Sequence, residues 1–233
     1  MNIKTIYEEK LKELLKKYKE KNEPLAKKGF FLFENIVENS LLYIGINPSD
    51  VKDLVNKYNV KVENGIFWGG EKFKDEYPFY QHFNDLANNM KWAHLDLFLT
   101  CEKTQKLIEE SIDNIFLIEQ FKISYEIIKQ VSPKIIVVGN AYASRYIQKH
   151  FKCVFDNNIG TYRINEFNNI PILFSGMLTG ARALDVGSRE RLKWHIGFVK
   201  NKIMYAPTSS NNTVTAPATT SAAYGLPITL CDI

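Results

Sequence analysis

Apolar residues at Ile3, Ile6, Tyr7, Leu11, Leu14, Leu15 and Tyr18 recur at helical spacing with Lys and Glu on the other face, so residues 2–21 are predicted as a docked amphipathic helix. Further on the pattern changes to short apolar runs closed by turn residues. Residues 41–44 end in Gly45-Ile46-Asn47-Pro48, residues 134–138 in Gly139-Asn140, and residues 170–174 in Ser175-Gly176. Runs of this length and composition read as buried parallel strands. Residues 93–100 read as a further strand, interrupted by the single charge of Asp96. Helical patterns over 50–58, 77–90 (opened by Pro78), 113–131 (broken before Pro133), 141–151 and from Ser188 to about 204 lie between and after these runs, and 153–164 reads as a short strand or hairpin. Strand and helix in alternation predict an α/β fold with a parallel sheet.

The chain has 233 residues, 45% of them apolar, which suits one substantial core. We expect residues 1–30 to carry the N-terminal helix, 31–204 to form the α/β domain, and 205–233 to be a disordered tail, because Thr, Ser, Ala and Asn dominate there. The net charge of +4 is compatible with a polyanionic partner but does not demand one. The lysines of the first helix read first as a solvated face and second as phosphate contacts. Cys101, Cys153 and Cys231 show no ligand spacing, so no disulfide scaffold, zinc site or iron–sulfur cluster is expected, and no cofactor. No apolar run reaches the length of a membrane span, and the N-terminus lacks a secretory pattern, so a cytoplasmic monomer is expected. Neither G-x-G-x-x-G nor G-x-x-x-x-G-K-[ST] occurs, which leaves dinucleotide and triphosphate sites unsupported.

In open α/β sheets ligands bind beyond the carboxyl ends of the strands. Asn47 stands at such a place, although Asn-Pro-Ser-Asp also reads as a turn and helix cap. Asp96 inside an apolar run needs a partner or a pocket at the strand's exit. Phe67 and Trp68, in a glycine-rich stretch read as a loop, form either a satellite apolar cluster or a stacking plate. The stretch 175–182 combines two glycines, two hydroxyls and the apolar pair Met177-Leu178. His195 reads as a packed or surface residue, and His82, His94 and His150 show no partner in sequence.

These stretches, spread over residues 41–196, resemble the uracil-DNA glycosylase superfamily. Gly45-Ile46-Asn47-Pro48-Ser49 is similar to the family's first motif in its mismatch-specific form, with Asn where other branches carry Asp. Gly65-Ile66-Phe67 resembles the segment whose Phe stacks on the extruded base. Asp96-Leu97-Phe98-Leu99-Thr100 resembles the strand that reads the pyrimidine edge, and Gly139-Asn140-Ala141-Tyr142-Ala143 the step after the next strand. The second motif is represented by Phe174-Ser175-Gly176-Met177-Leu178-Thr179 and lacks the family's histidine. The resemblance implies a three-layer α/β/α fold around a four-stranded parallel sheet and duplex DNA with an extruded base as partner. It also implies catalytic roles for Asn47, which would hold water, and Ser175. Gly45, Ile46, Pro48, Ser49, Phe67 and Asp96 would bind substrate. Gly176, Met177, Leu178, Thr179 and Arg182 would meet DNA, Met177 and Leu178 as the wedge that fills the emptied stack. With no histidine, backbone N–H groups near Gly176 or the hydroxyls of Ser175 and Thr179 would stabilise the base oxygen.

Two substitutions point to the substrate. An ionised Asp96 only accepts hydrogen bonds, which suits the amino group of cytosine better than the carbonyl of uracil. Ser49 stands where other branches place a bulky Tyr, leaving room at ring carbon five. A glycosylase for a cytosine enlarged at that carbon, restricting modified viral DNA, is therefore expected. Uracil excision in base-excision repair and a non-catalytic DNA-binding member of the fold remain as alternatives.

Overall fold

A computed structural model describes residues 1–111, 113–180 and 183–204. Helix α1 (Ile3–Glu20) begins where the Asn2 side chain accepts from Thr5 N. Strands β1 (Phe30–Phe33) and β2 (Leu41–Gly45) follow, then the single turn α2 (Val55–Tyr58), β3 (Lys61–Glu63) and β4 (Ile66–Gly69). Next come α3 (Glu71–Glu76), α4 (Pro78–Leu86), β5 (Trp92–Asp96), α5 (Gln105–Glu110), α6 (Ile115–Val131), β6 (Ile135–Val138) and α7 (Ala141–His150). The chain continues through β7 (Cys153–Asp156), β8 (Thr161–Ile164), β9 (Ile170–Phe174) and α8 (Val186–Met204).

The main sheet has the order β5-β2-β6-β9-β8-β7. Neighbours from β5 to β9 pair in parallel, while β8 joins β9, and β7 joins β8, antiparallel. The sheet therefore has six strands rather than the four expected. The hairpin at 153–164 extends it instead of lying apart, and Thr161 Oγ1 ties it down by donating to Ile172 O at 2.6 Å. Side chains alternate across β2: Leu42 and Ile44 share a core with α1, α6 and α7, while Leu41 and Tyr43 share one with α3, α4 and α8. Helices thus cover both faces.

A second sheet, β1-β4-β3, was not expected from the sequence. Strands β1 and β4 are four buried residues each, without polar alternation, and the glycines around β4 make its stretch read as a loop. Gly29 and Gly65 both have positive φ, and Phe30 N donates to Gly65 O, so the backbones approach where a Cβ would clash.

Several boundaries also differ. The helix expected over 50–58 is a 3-10 turn at Lys52–Leu54 followed by α2, because Asp50 accepts from Lys52 N at once. Pro78 splits the pattern after residue 71 into α3 and α4. Helix α8 is capped by Asp185, whose carboxylate accepts from Ser188 N at 2.9 Å, three residues before the expected start. Strand β5 ends at Asp96 because Leu97 N and Phe98 N turn to donate to Gly45 O and Ile46 O. The tail 205–233 lies outside the described residues. No described helix is long and apolar enough to cross a membrane.

Candidate active site

Beyond the carboxyl ends of β2, β5 and β6, closed by the turn after β9, lies a cavity of about 290 Å³. This is near the lower end for ligand sites, roughly 300–1,000 Å³. Gly45, Ile46, Asn47, Pro48, Ser49, Asp96, Met177, Leu178 and Thr179 all line it. Ser175 and Gly176 are half-buried and are not among its lining residues; Ser175 N continues the sheet by donating to Val138 O. Arg182 lies outside the described residues.

Asn47 is fixed by its amide nitrogen. Nδ2 donates to Pro48 O and Glu102 O, both at 2.8 Å, and reaches Thr100 O at 3.5 Å. Only an NH2 group can face several carbonyl oxygens, so the amide orientation is settled, and Oδ1 remains as the acceptor open to a ligand or water. The donors and acceptors of the 97–102 segment run beside the turn, with Glu102 N donating to Pro48 O at 2.9 Å. Asn47 therefore does more than make a turn or cap a helix.

Asp96 sits opposite Gly45 in the β2/β5 register. A Cβ at 45 would overlap Asp96 Oδ1 and come within 3.3 Å of His94 Nε2, so glycine there makes the room the carboxyl occupies. His94 lies two residues earlier on the same strand face, with Nε2 3.7 Å from Asp96 Oδ1. That separation is too long for a hydrogen bond, and among the described residues the carboxyl receives none. Burial therefore decides both groups: it pushes Asp96 up to about 8 and His94 down to about 3. At neutral pH both are uncharged. His94 was not singled out by sequence; a His-x-Asp spacing at a strand end was the available signal.

One wall is aromatic. Phe31, Phe73, Tyr77, Phe79, Tyr80 and Phe83 line the cavity, and Phe83 stacks on His94 with centroids 5.6 Å apart and planes at 30°. Phe67 is not part of this wall. It lies on β4, 7% exposed, inside the apolar cluster that contains Phe31, Phe73 and Tyr80. The strand pairing that the sequence hides turns it into core. Phe79 is 38% exposed and lines the opening, with its ring 6.3 Å from that of His94. Of the aromatic side chains on this wall it is the one exposed to solvent.

The turn after β9 also departs from expectation. Leu178 is buried and packs where Gly139 has no side chain, since a Cβ there would lie 2.8 Å from Leu178 Cδ1. It anchors the turn rather than projecting as a wedge, while Met177 is half-buried and Thr179 buried. Asn140, Gln105, Glu102, Asp50 and Lys103 add polar and charged groups to the lining. Asn140 caps α7, its Oδ1 accepting from Tyr142 N and Ala143 N at 2.8 and 3.1 Å. Among the described residues no group of three His, Cys, Asp or Glu side chains could hold a metal ion. Compared with protein-family models and with curated proteins, the chain matches none.

Proposed function

We propose that this chain is a DNA glycosylase of the uracil-DNA glycosylase type that hydrolyses the N-glycosidic bond of an extruded pyrimidine, a cytosine enlarged at carbon five. One observation carries the reading: Asn47, with its carbonyl oxygen left open, and the buried Asp96 carboxyl line a single small cavity at the ends of adjacent parallel strands. Bond cleavage needs a held water on one side and a group that relieves the departing base on the other. Asn47 Oδ1 accepts a hydrogen bond from the water, and Asp96 meets the base edge.

Burial changes how Asp96 reads that edge. As a neutral acid it both donates and accepts, so its O–H faces cytosine N3 while its carbonyl accepts from the exocyclic amino group. The same acid turned over also matches uracil, which makes uracil the second reading. Cytosine is favoured by the leaving step, because a proton passed from Asp96 to N3 lets that base depart uncharged. Ser49, small and exposed on the lining, leaves space for a substituent at carbon five. Phe79 offers a face for the extruded ring, worth on the order of 1–3 kcal/mol towards unstacking. A role in restricting foreign DNA that carries such bases follows.

The test is release of free base from duplexes carrying uracil, cytosine or 5-hydroxymethylcytosine, followed by chromatography. The expected result is release of the modified cytosine ahead of the other two. Release of uracil alone would sink the cytosine reading, and binding without release from any duplex would leave a base-recognising protein instead of an enzyme.

A further inference from the structure

Asn47 holds water but is a weak base, and glycosidic hydrolysis leaves a proton on the attacking water that must go somewhere. Glu102 lines the same cavity, its side chain is 4% exposed, and its backbone is tied to the Asn47 turn at both ends: Glu102 N donates to Pro48 O, and Glu102 O accepts from Asn47 Nδ2. Its Oε1 accepts from Thr104 N at 2.8 Å, which fixes the rotamer. Its Oε2 is buried and receives no hydrogen bond among the described residues. Among the described residues, the cation against that oxygen is the Lys28 ammonium at 3.6 Å, itself half exposed. A buried carboxylate with one oxygen short of a hydrogen bond carries a desolvation cost that the single ion pair offsets only in part.

We propose that Glu102 is the general base of the reaction, taking the proton of the water that Asn47 holds. The inference rests on the glycosylase reading above. In the step, the C1′–N1 bond breaks with its electron pair going to the base, and the base takes the Asp96 proton. The water oxygen forms the new bond to C1′ while its proton passes to the Glu102 carboxylate. The products are the free base and an abasic sugar, and solvent afterwards returns a proton to Asp96 and removes one from Glu102. Position 47 supplies the aim, and position 102 supplies the basicity. The charged and titratable groups around Glu102 are Lys28, Lys103 with its partner Asp50 at 3.8 Å, the buried Cys101, and across the cavity Asp96 and His94.

Single-turnover release from a 5-hydroxymethylcytosine duplex tests this with Glu102→Gln and Glu102→Asp, each checked for duplex affinity and thermal midpoint. Glu102→Gln should lower the rate about 100-fold or more, leave duplex affinity within about threefold, and flatten the acidic side of the rate–pH profile. Glu102→Asp keeps the charge at a shorter reach and should fall between the native chain and the Gln variant. A residue needed only for the loop's shape predicts the reverse order, since Gln is the closer replacement in size. Release by Glu102→Gln within about threefold of the native rate, or an Asp variant slower than the Gln variant, overturns the assignment while the glycosylase reading stands. If Glu102→Gln does not fold, the pH profile of Glu102→Asp decides, because a base at 102 must retain the acidic limb. If the native chain releases no base from any duplex, the glycosylase reading fails and this role fails with it.

Discussion

Three backbone carbonyl oxygens face the Asn47 amide nitrogen, so that position tolerates loss of the side chain better than its conversion to an acid. Asn47→Asp sets carboxylate oxygens against Pro48 O and Glu102 O and should cost roughly 1–3 kcal/mol of stability, read from denaturant midpoints. Asn47→Ala should abolish base release while keeping duplex affinity. Gly45→Ala places a methyl group on the Asp96 carboxyl and should cost about 1–3 kcal/mol together with substrate reading. The Asp96–His94 pair gives a pH signature whose sign can be worked out. Raised to about 8 in the fold from 3.8, Asp96 contributes stability that is full below pH 4 and is lost as pH rises towards 8. Lowered to about 3 from 6.5, His94 contributes stability that is lost as pH falls from 6.5 towards 3. The two slopes oppose one another between pH 4 and 6.5, so only the Asp96 decline survives between 6.5 and 8, at roughly 1.4 kcal/mol per pH unit. Asp96→Asn should erase that decline in a pH series of unfolding midpoints. Glu102 is where sequence reading stopped short: a lone Glu after an apolar run looks solvated, and only the register of the 97–102 segment against the 45–48 turn brings it to the cavity.

Strands with continuous apolar runs and a glycine stop were legible, and β2, β6 and β9 fall where their residues suggest, as do α1, α6 and α7 within a few residues. What failed were segments whose identity depends on a partner far along the chain. Phe30–Phe33 and Ile66–Gly69 have no alternation of their own, and each becomes a strand because the other lies beside it in parallel register, Phe31 against Phe67 and Leu32 against Trp68. The stacking role read into Phe67 was lost for the same reason, since a ring facing its own sheet's core cannot also face a base. Single-residue caps were partly visible. In sequence Asn140 reads as the close of β6 and as part of the step after that strand, yet its Oδ1 caps α7 and its amide reaches Gln105 Oε1 at 3.4 Å on the cavity lining. Asn140→Ala should therefore cost roughly 0.5–2 kcal/mol through the lost cap, with a smaller loss in base release than Asn47→Ala, measured by thermal melts and single-turnover assays side by side.

One of the two apolar clusters on opposite faces of the main sheet joins the N-terminal helix to Ile44 and Ile46 of the cavity lining. Ile3, Tyr7, Leu11, Leu14, Leu15 and Tyr18 are each at most 6% exposed, and they share one cluster with Leu42 and Ile44 of β2, the strand that ends in the Asn47 turn. The lysines of α1 are spent partly on neighbours: Lys10 pairs with Glu126, Lys17 with Glu119 and Lys4 with Glu63. These exposed pairs add little individually, roughly 0–1 kcal/mol, so packing carries the attachment. Each buried side chain of this size contributes roughly 1.5–3 kcal/mol, and six of them together rival the 5–15 kcal/mol that typically separates folded from unfolded chains. The helix packs against β1 and β4 as well as against the main sheet. Removing residues 1–20 should therefore abolish cooperative unfolding, followed by near-UV circular dichroism, and not merely lower its midpoint. A truncated chain that still melts in one sharp transition would show that the β2 core, and the cavity built on its end, stand without the helix.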